Sequence, residues 1–331
     1  MRKRSVLVVS PNPAIDMTYQ LRELNLGLLN RAHDVYVNVG GKGINVAKFL
    51  ASSDVDVHVL GWIGEKNAST IDDFIKSIGL RHAFIKVPGY TRMNIKIVES
   101  RPEQRITEIN APGFSVSGKQ VDAFIGLIRE RLRASDFLVL SGSLPVGAPP
   151  DFYRLLIEEA KAHGVKTVLD ADGEALKLGI HALPNVIKPN LQEALRLLDK
   201  NVSLASLEGE TLTRKACQLT LELLQKGVDI VALSMGKDGL CLGFKDQPNL
   251  LRLTPPSVQT VSTVGSGDTV VGALIYGLLH GLDLYGLGRF ITAAGTATTL
   301  VQGSEVATVE QAEQLVDTIF TEWIPVEMLS I

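Results

Sequence analysis

The sequence predicts an α/β fold built on a mainly parallel sheet. Short apolar runs rich in β-branched residues recur along the chain, and stretches with the hydrophobic pattern of helices lie between them. A strand that is buried on both faces appears as a nearly continuous apolar run, and parallel strands need a long crossover between them. The alternation of the two patterns therefore indicates a parallel sheet covered by helices on both faces.

The elements of this sheet follow in chain order. Apolar runs predict core strands at residues 5–10, 55–61, 137–142, 166–171, 185–190 and 229–234. Helical patterns lie between them at residues 43–53, 67–79, 117–135, 150–164 and 212–227. The tail after residue 263 predicts two or three further helices. We expect the connections to be right-handed crossovers.

Two regions depart from this pattern because their apolar and polar residues alternate. One joins "AIDMTYQLREL" (14–24) to "NRAHDVYVNV" (30–39), and the other joins "TRMNIKIVES" (91–100) to "RITEIN" (105–110). Such alternation is typical of strands with one solvated face. We expect these four strands to form a small sheet beside the main domain, where it would cover a ligand or a partner subunit.

Composition excludes several classes of function. The 331 residues carry a net charge of -3, with a pI of about 6.1, so no basic field favours nucleic acid or an acidic membrane surface. The first apolar run is too short to span a membrane and ends at Pro11, which predicts a first strand rather than a signal peptide. The two cysteines, Cys217 and Cys241, are expected to be buried thiols. A cytoplasmic protein is expected.

Polar residues cluster where predicted strands end. Asn12 and Asp16 follow the first strand, and the segments 141–145, 188–194 and 234–239 follow three others. Ligands of open parallel sheets bind beyond the carboxyl ends of the strands. This convergence predicts a binding site at that edge.

A glycine-rich turn, "VGGKGINVAKFL" (39–50), opens a predicted helix. Its backbone N–H groups and Lys42 are suited to a polar or anionic substrate, and Asn45 on the first helical turn would face the same ligand. The alternative is a turn needed for close packing, with Lys42 in solvent. The segment is neither a Walker A loop nor a dinucleotide fingerprint, which argues against a nicotinamide dehydrogenase.

A second glycine-rich turn, "TVGSGD" (263–268), leads into an apolar helix. The residues Gly265, Ser266 and Gly267 precede a helix N-terminus, where free N–H groups and the helix dipole attract negative charge. Asp268 has two interpretations. It is either a helix-capping residue or a carboxylate that accepts the proton of a hydroxyl group during phosphoryl transfer.

Three cations and one carboxylate are also candidates for the site, with more than one interpretation. Arg92 is either a phosphate ligand or a solvated edge-strand residue, and Arg31 and Lys42 are candidates for the same phosphate. Glu193, three residues after Asn190, suits either a hydrated Mg²⁺ or a helix capping box.

Taken together and in order, these motifs resemble one family. "NPAIDMTY", "GGKGINVAKFL", "TRMNIKI", "TEINAPG", "SGSLPVG", "LDADGEAL", "KPNLQEA", "LSMGKDG" and "STVGSGDTVVG" are similar to the motifs of ribokinase-like sugar kinases of the PfkB type. The resemblance spans nearly the whole chain. It is closest to the phosphosugar branch, which contains 1-phosphofructokinases and tagatose-6-phosphate kinases.

The resemblance implies one ribokinase-like unit over residues 1–331, with a β-sheet lid. The lid would comprise about residues 14–39 and 91–110, and the α/β core residues 1–13, 40–90 and 111–331. Dimers that pair through their lids are common in the family. It also implies ATP and Mg²⁺ as cofactors, and the transfer of a phosphoryl group to fructose 1-phosphate. Tagatose 6-phosphate and fructose 6-phosphate are alternative acceptors, and a regulator that has lost catalysis is an alternative of another class.

The resemblance assigns roles residue by residue. Asp268 would be the catalytic base, with the anion hole formed by Gly265, Ser266 and Gly267. The sugar would contact Asp16, Gly40, Gly41 and Asn45, and its existing phosphate would lie near Lys42, Arg92, Ser141 and Arg31. The nucleotide would contact Lys188, Asn190, Ser234, Gly236 and Gly239, with Glu193 binding Mg²⁺ through water. Two segments depart from the common pattern: "GSGDT" preserves the N–H and hydroxyl groups, whereas "DADGEAL" lacks a hydroxyl at positions 171 and 172.

Overall fold

A computed structural model describes residues 4–100, 105–202, 207–303 and 305–329. Its large sheet has ten strands in the order β14-β13-β12-β11-β10-β9-β8-β1-β4-β5. The strands from β11 to β5 are parallel, and β12, β13 and β14 extend the sheet as antiparallel neighbours. The ten strands are β1 Ser5–Val9, β4 Asp56–Gly64, β5 Arg81–Val87, β8 Phe137–Ser141, β9 Lys166–Asp170, β10 Val186–Ile187, β11 Ile230–Ser234, β12 Leu240–Phe244, β13 Asn249–Thr254 and β14 Phe320–Pro325.

Ten α-helices are found within the described residues. They are α1 Lys42–Ala51, α2 Ala68–Ser77, α3 Gly118–Leu132, α4 Phe152–Ala162, α5 Gly173–Gly179, α6 Leu191–Leu197, α7 Gly209–Gln225, α8 Ser266–His280, α9 Leu284–Thr299 and α10 Val309–Glu313. All five helices predicted before residue 263 are present, and the tail contains three helices where two or three were predicted. None of the helices described is long and apolar enough to cross a membrane.

Two hydrophobic cores lie on opposite faces of the large sheet. On one face Trp62 packs against Phe124 of α3, with ring centroids 4.3 Å apart, in a core that also includes α4 to α7. On the other face Phe49 of α1 lies 6.4 Å from Phe290 of α9, in a core completed by α2, α8 and α10. Both faces of the strands are therefore removed from water, which explains why the sequence shows continuous apolar runs.

Four strands form a separate small sheet in the order β3-β2-β6-β7, as the alternating segments predict. They are β2 Ala14–Leu21, β3 Asp34–Gly40, β6 Arg92–Glu99 and β7 Arg105–Ile109. The register pairs Asp16 with Asn38 on β3 and with Asn94 on β6, so these three polar residues share one face of the small sheet. The opposite face includes Met17 and Val37.

The structure contains elements that the sequence analysis did not predict. Four of them are the strands β5, β12, β13 and β14, and the last three lie at one edge of the large sheet. The short helices α5 and α6 were not predicted either. The predicted strand over 185–190 is reduced to Val186–Ile187, because Lys188 and the residues after it turn away towards α6. Cys217 and Cys241 are free and buried.

Candidate active site

The polar residues of the sequence motifs meet at the carboxyl edge of the parallel strands. Ser141 ends β8 and is paired in register with Asp170, which ends β9, while Lys188 follows β10 directly. All three side chains are buried. Neighbouring parallel strands end at the same edge, so residues far apart in sequence become neighbours there.

Asp268 lies in the first turn of α8 and is buried. The helix begins after Gly265, whose φ of 78° is a conformation that glycine adopts at little cost. The Asp268 Oδ2 atom accepts a hydrogen bond from Asn45 Nδ2 at 2.8 Å, so the carboxylate is held by α1. Asp268 thus occupies the third position of α8, whereas the N-cap position is taken by Gly265.

The environment of Asp268 changes its proton affinity. Burial, and after it the negative charge of Asp170, raise the pKa of its carboxyl to about 7. The hydrogen bond from Asn45 and the charges of two lysines oppose this rise. A carboxyl with a pKa near 7 is suited to exchange a proton with a substrate at neutral pH.

Asp170 holds two lysines at the same place. Its Oδ1 atom lies 3.3 Å from Lys42 Nζ and 3.4 Å from Lys188 Nζ. Burial alone would raise the pKa of Asp170, but the two ammonium groups hold it below its usual value. In turn Asp170 raises the pKa of Lys42. The site thus keeps two cations whose charges also act on the carboxyl of Asp268.

Lys188 also approaches the beginning of α8. Its Nζ atom lies 3.2 Å from the position that a Cβ atom would take on Gly267. Glycine at this position leaves the backbone N–H groups of the first helical turn accessible beside a lysine. Together the ammonium group and the helix N-terminus form an environment that favours an anion.

The small sheet contributes a second group of polar side chains. Asp16 Oδ1 accepts a hydrogen bond from Asn94 Nδ2 at 2.9 Å. A Cβ atom on Gly40 would collide with the Asp16 carboxylate, so a side chain there would have to displace that group. Arg92, at the start of β6, is half-buried. Burial lowers the pKa of its guanidinium, and the negative charges of Asp16 and Asp172 oppose this fall.

Buried polar atoms without a partner concentrate at this edge. Eleven such side-chain atoms occur within the described residues, and six of them belong to residues of the site. Buried polar groups are nearly always hydrogen-bonded, so a group of six orphans indicates partners that a ligand would supply. Most are acceptors suited to sugar hydroxyls, and one is a guanidinium donor suited to a phosphate. They are Asn12 Oδ1, Asn45 Oδ1, Arg92 Nε, Asn94 Oδ1, Ser141 Oγ and Asp170 Oδ2.

The segment after β11 forms a tight turn beside Asn190. Ser234 ends β11 and pairs with Asn190 in an isolated bridge. Gly236 and Gly239 both have positive φ angles, 61° and 93°, which let the backbone turn sharply. The turn is closed by the Met235 N–H, which donates to the Gly239 carbonyl at 2.8 Å.

Asn190 and Glu193 form a reciprocal capping box at the start of α6. Each backbone N–H donates to the other residue's side chain at 2.9 Å. No group of three metal-ligating side chains occurs within the described residues. Mg²⁺ usually binds through one or two carboxylates together with water and substrate phosphates, so this donor set fits a Mg²⁺ that arrives with a nucleotide.

Most of the predicted site residues therefore meet at one place, but Arg31 does not. Arg31 lies on the exposed connection between β2 and β3, and within the described residues no hydrogen bond or ion pair joins it to the cluster. Asp172, at a position where the sequence lacks the common hydroxyl, begins α5 without a hydrogen bond from its side chain to the helix.

Sequence reasoning missed three residues that the structure places in or beside the site. Asp170 was detectable as a carboxylate at the end of an apolar strand, and Asn94 as the residue that shares a strand face with Arg92. Lys48 lies one helical turn after Asn45. No local sequence pattern marks it, because its burial depends on contacts with distant segments.

Known proteins are similar to this chain over nearly its whole length. A family model described as pfkB family carbohydrate kinase matches residues 9–311. The chain is 32% identical to a 1-phosphofructokinase of Vibrio cholerae over 312 residues, or 94% of this chain and 95% of the relative. It is 33% identical to a 1-phosphofructokinase of Rhodobacter capsulatus over 321 residues, or 97% and 98%. A solved structure from Thermotoga maritima, described as "Possible 1-phosphofructokinase", has a TM-score of 0.83 at 25% identity and covers 97% of this chain and 100% of its own.

Proposed function

The chain belongs to the pfkB family of carbohydrate kinases, and we propose that it transfers the γ-phosphoryl group of ATP to the 6-hydroxyl of fructose 1-phosphate. The products would be fructose 1,6-bisphosphate and ADP. The observation that carries the proposal is the Asp268 carboxylate, which is buried, has a pKa of about 7 and lies at the N-terminus of α8. The relatives named 1-phosphofructokinase favour fructose 1-phosphate among the ketohexose phosphates.

In the proposed reaction Asp268 acts as the general base. It takes the proton of the 6-hydroxyl while that oxygen forms a bond to the γ-phosphorus, and the bond from this phosphorus to the β,γ-bridging oxygen breaks. The N–H groups of Gly265, Ser266 and Gly267 would donate to the oxygens of the transferring group. The supporting geometry is the helix N-terminus with Lys188 beside Gly267.

The nucleotide would lie along the turn after β11. In this arrangement Lys188, Asn190 and Ser234 would contact the phosphates, and the backbone at Gly236 and Gly239 would follow them. Glu193 would hold Mg²⁺ through water, using the carboxylate oxygen that does not cap Asn190. Bound Mg²⁺ supplies positive charge that offsets the negative charge of the phosphates.

The phosphosugar would lie between the small sheet and the large one. Asp16 and Asn45, with the backbone of Gly40 and Gly41, would bind the sugar hydroxyls. The existing phosphate would contact cations and a hydroxyl on both sides of this cleft. They are Lys42, Arg92, Ser141 and Arg31. Within this set Arg31 has the least structural support, because it lies on an exposed connection.

Initial rates with MgATP test the acceptor. We expect fructose 1-phosphate to give the highest kcat/KM, with tagatose 6-phosphate and fructose 6-phosphate well below it. No turnover of fructose 1-phosphate, with turnover of either alternative, would reassign the substrate. No turnover of any of the three would favour the non-catalytic regulator, although such a protein would not need a proton acceptor of raised pKa.

The small sheet would act as a lid that closes over the phosphosugar and excludes water. ATP hydrolysis measured without sugar should then be far slower than turnover with it. Equal rates would contradict closure.

The apolar face of the lid would pair with the lid of a second copy. Its exposed residues lie opposite the face of Asp16 and Asn94. They are Val35, Val37, Met93 and Ile109, each between 44% and 55% exposed. Sedimentation should show a dimer that Val35→Lys combined with Val37→Lys converts to a monomer, and a variant that remains dimeric would exclude this surface.

A cytoplasmic location, where ATP is available, completes the proposal.

A further inference from the structure

Lys48 on α1 is a largely buried cation that the proposed reaction does not use. Its Nζ atom donates a hydrogen bond to the Val39 carbonyl at 2.7 Å. Its ammonium group also lies 4.9 Å from the centre of the Phe74 ring on α2. Three secondary-structure elements, β3, α1 and α2, are therefore joined at one side chain.

This hydrogen bond lies where the small sheet connects to α1. Val39 is the last residue before Gly40 and Gly41, the turn that leads from the small sheet into α1. Asn45, which donates to Asp268, lies three residues before Lys48 on the same helix. The Lys48 contact thus joins the base of the small sheet to the helix that positions Asp268.

Charged groups face Lys48 from three elements. They are Asp16 on β2, Asp268 on α8 and Glu305 in the segment before α10. The contact from α2 is the uncharged Phe74 ring. Burial lowers the pKa of the Lys48 ammonium to about 8, and the three carboxylates oppose that fall. The charges of these carboxylates thus act on the cation, which loses its proton within an accessible range of pH.

We propose that Lys48 is a positioning residue whose ammonium group fixes the Val39 carbonyl, and through it the Gly40–Gly41 turn, relative to Asn45 and Asp268. The expected effect of Lys48 on turnover rests on the proposed function. Its expected effect on the Gly40–Gly41 turn rests on the contacts alone. When Lys48 is neutral, its hydrogen bond weakens and its charge no longer balances the nearby carboxylates. The kinase should therefore lose activity as the pH rises through about 8.

Two substitutions and a control separate the roles of charge and packing. Lys48→Met keeps the apolar stem but removes the donor, whereas Lys48→Arg keeps a donor and a charge that does not titrate in this range. Lys161→Met, at an exposed position in the last turn of α4, is the matched control. We expect kcat/KM to fall by about tenfold in Lys48→Met and to change little in the control.

The pH profile gives a readout that loss of packing alone would not change. Wild-type kcat/KM should fall above about pH 8, and this alkaline fall should be absent in Lys48→Arg. A fall that persists unchanged in Lys48→Arg, or a wild-type profile without it, would overturn the role of the charge.

Hydrogen exchange in the free protein tests the positioning itself without any substrate. The Asn45 N–H donates to the Gly41 carbonyl at 3.1 Å, and its exchange reports on the turn. Exchange across residues 40–45 should be faster in Lys48→Met than in the wild type and in Lys161→Met. Equal exchange would refute the proposal even if the kinase is active. If no ketohexose phosphate is turned over, the proposed function fails, while the exchange comparison still decides the role of Lys48.

Discussion

Asn45 and Asp268 are 223 positions apart in sequence, and a hydrogen bond of 2.8 Å joins their side chains. The donor belongs to α1 and the acceptor to α8, two helices on the same face of the large sheet. This bond fixes the orientation of the carboxylate and favours its ionised form.

Replacing the carboxylate should abolish most of the activity. Asp268→Asn preserves the shape of the side chain and its capacity to accept from Asn45, but it cannot take a proton. We expect kcat to fall by roughly 10²–10⁴-fold, the usual contribution of a general base. Asp122→Asn, at an exposed position on α3, is the control and should retain full activity. A loss of less than about tenfold in Asp268→Asn would remove Asp268 from this role.

The acid side of the pH profile should follow Asp268. A general base must be deprotonated, so kcat/KM should fall as the pH decreases below about 7, where burial raises the pKa of this carboxyl. The hydrogen bond from Asn45 lowers that pKa, so Asn45→Ala should move the acid limb to higher pH. A limb that stays in place, or moves to lower pH, would contradict the assignment.

The same carboxylate should reduce stability at neutral pH. Its pKa rises from 3.8 to about 7 on folding, so between these values the folded state binds a proton that the unfolded state does not. Stability from this group is therefore highest at low pH, declines as the pH rises towards 7, and stays low above it. Asp268→Asn should raise the free energy of unfolding at pH 8 by about 1–3 kcal/mol. Thermal unfolding at pH 8 tests this, and an unchanged or lower Tm would show that the site tolerates the charge.

Arg92 should affect the phosphosugar and not the nucleotide. Its Nε atom is buried without a partner, and we expect a phosphate of the substrate to accept from it. Arg92→Met should raise KM for the phosphosugar by about 10–100-fold and leave KM for ATP nearly unchanged, because a charge-assisted hydrogen bond contributes about 1.5–3 kcal/mol. Arg214→Met, exposed on α7, is the control. Parallel increases in both KM values would indicate a general disturbance of the fold.

Gly40 should not tolerate a side chain. A Cβ atom at this position would displace the Asp16 carboxylate, which is a proposed sugar ligand. Gly40→Ala should raise KM for the phosphosugar by at least about tenfold, in line with the loss of one hydrogen bond to a charged group. Gly118→Ala, at the start of α3 with open space around it, should have no effect. An active Gly40→Ala enzyme with normal KM would show that Asp16 is free to move.

The sequence predicted six of the seven parallel strands of the large sheet and missed β5 and the three antiparallel strands. A strand buried on both faces, such as β1 or β8, appears as an uninterrupted apolar run. The edge strand β14 is half-exposed and contains charged and aromatic residues, so its pattern does not distinguish it from a connecting segment. The alternating pattern did identify the four strands of the small sheet, because each has one polar face.

The candidate site divides in a similar way. The glycine-rich turns before α1 and α8 were visible because their conformations restrict residue type, as at Gly265 with its φ of 78°. Asp170 and Lys48 were not identified, because their importance depends on which distant side chains surround them. For Arg31 the sequence predicted a phosphate ligand, and the structure places it on an exposed connection without a contact to the cluster.

The sequence by itself determined the fold class and the two kinds of sheet, because local patterns of burial repeat along the chain, and the order of its motifs indicated the family. Only the tertiary structure decided that Asp170 holds Lys42 and Lys188 together and that Asp268 carries a pKa near 7. These properties arise from burial and from charges brought within a few ångströms by chain segments that are far apart in sequence. Proton affinity depends on that three-dimensional environment, which no local pattern of residues records.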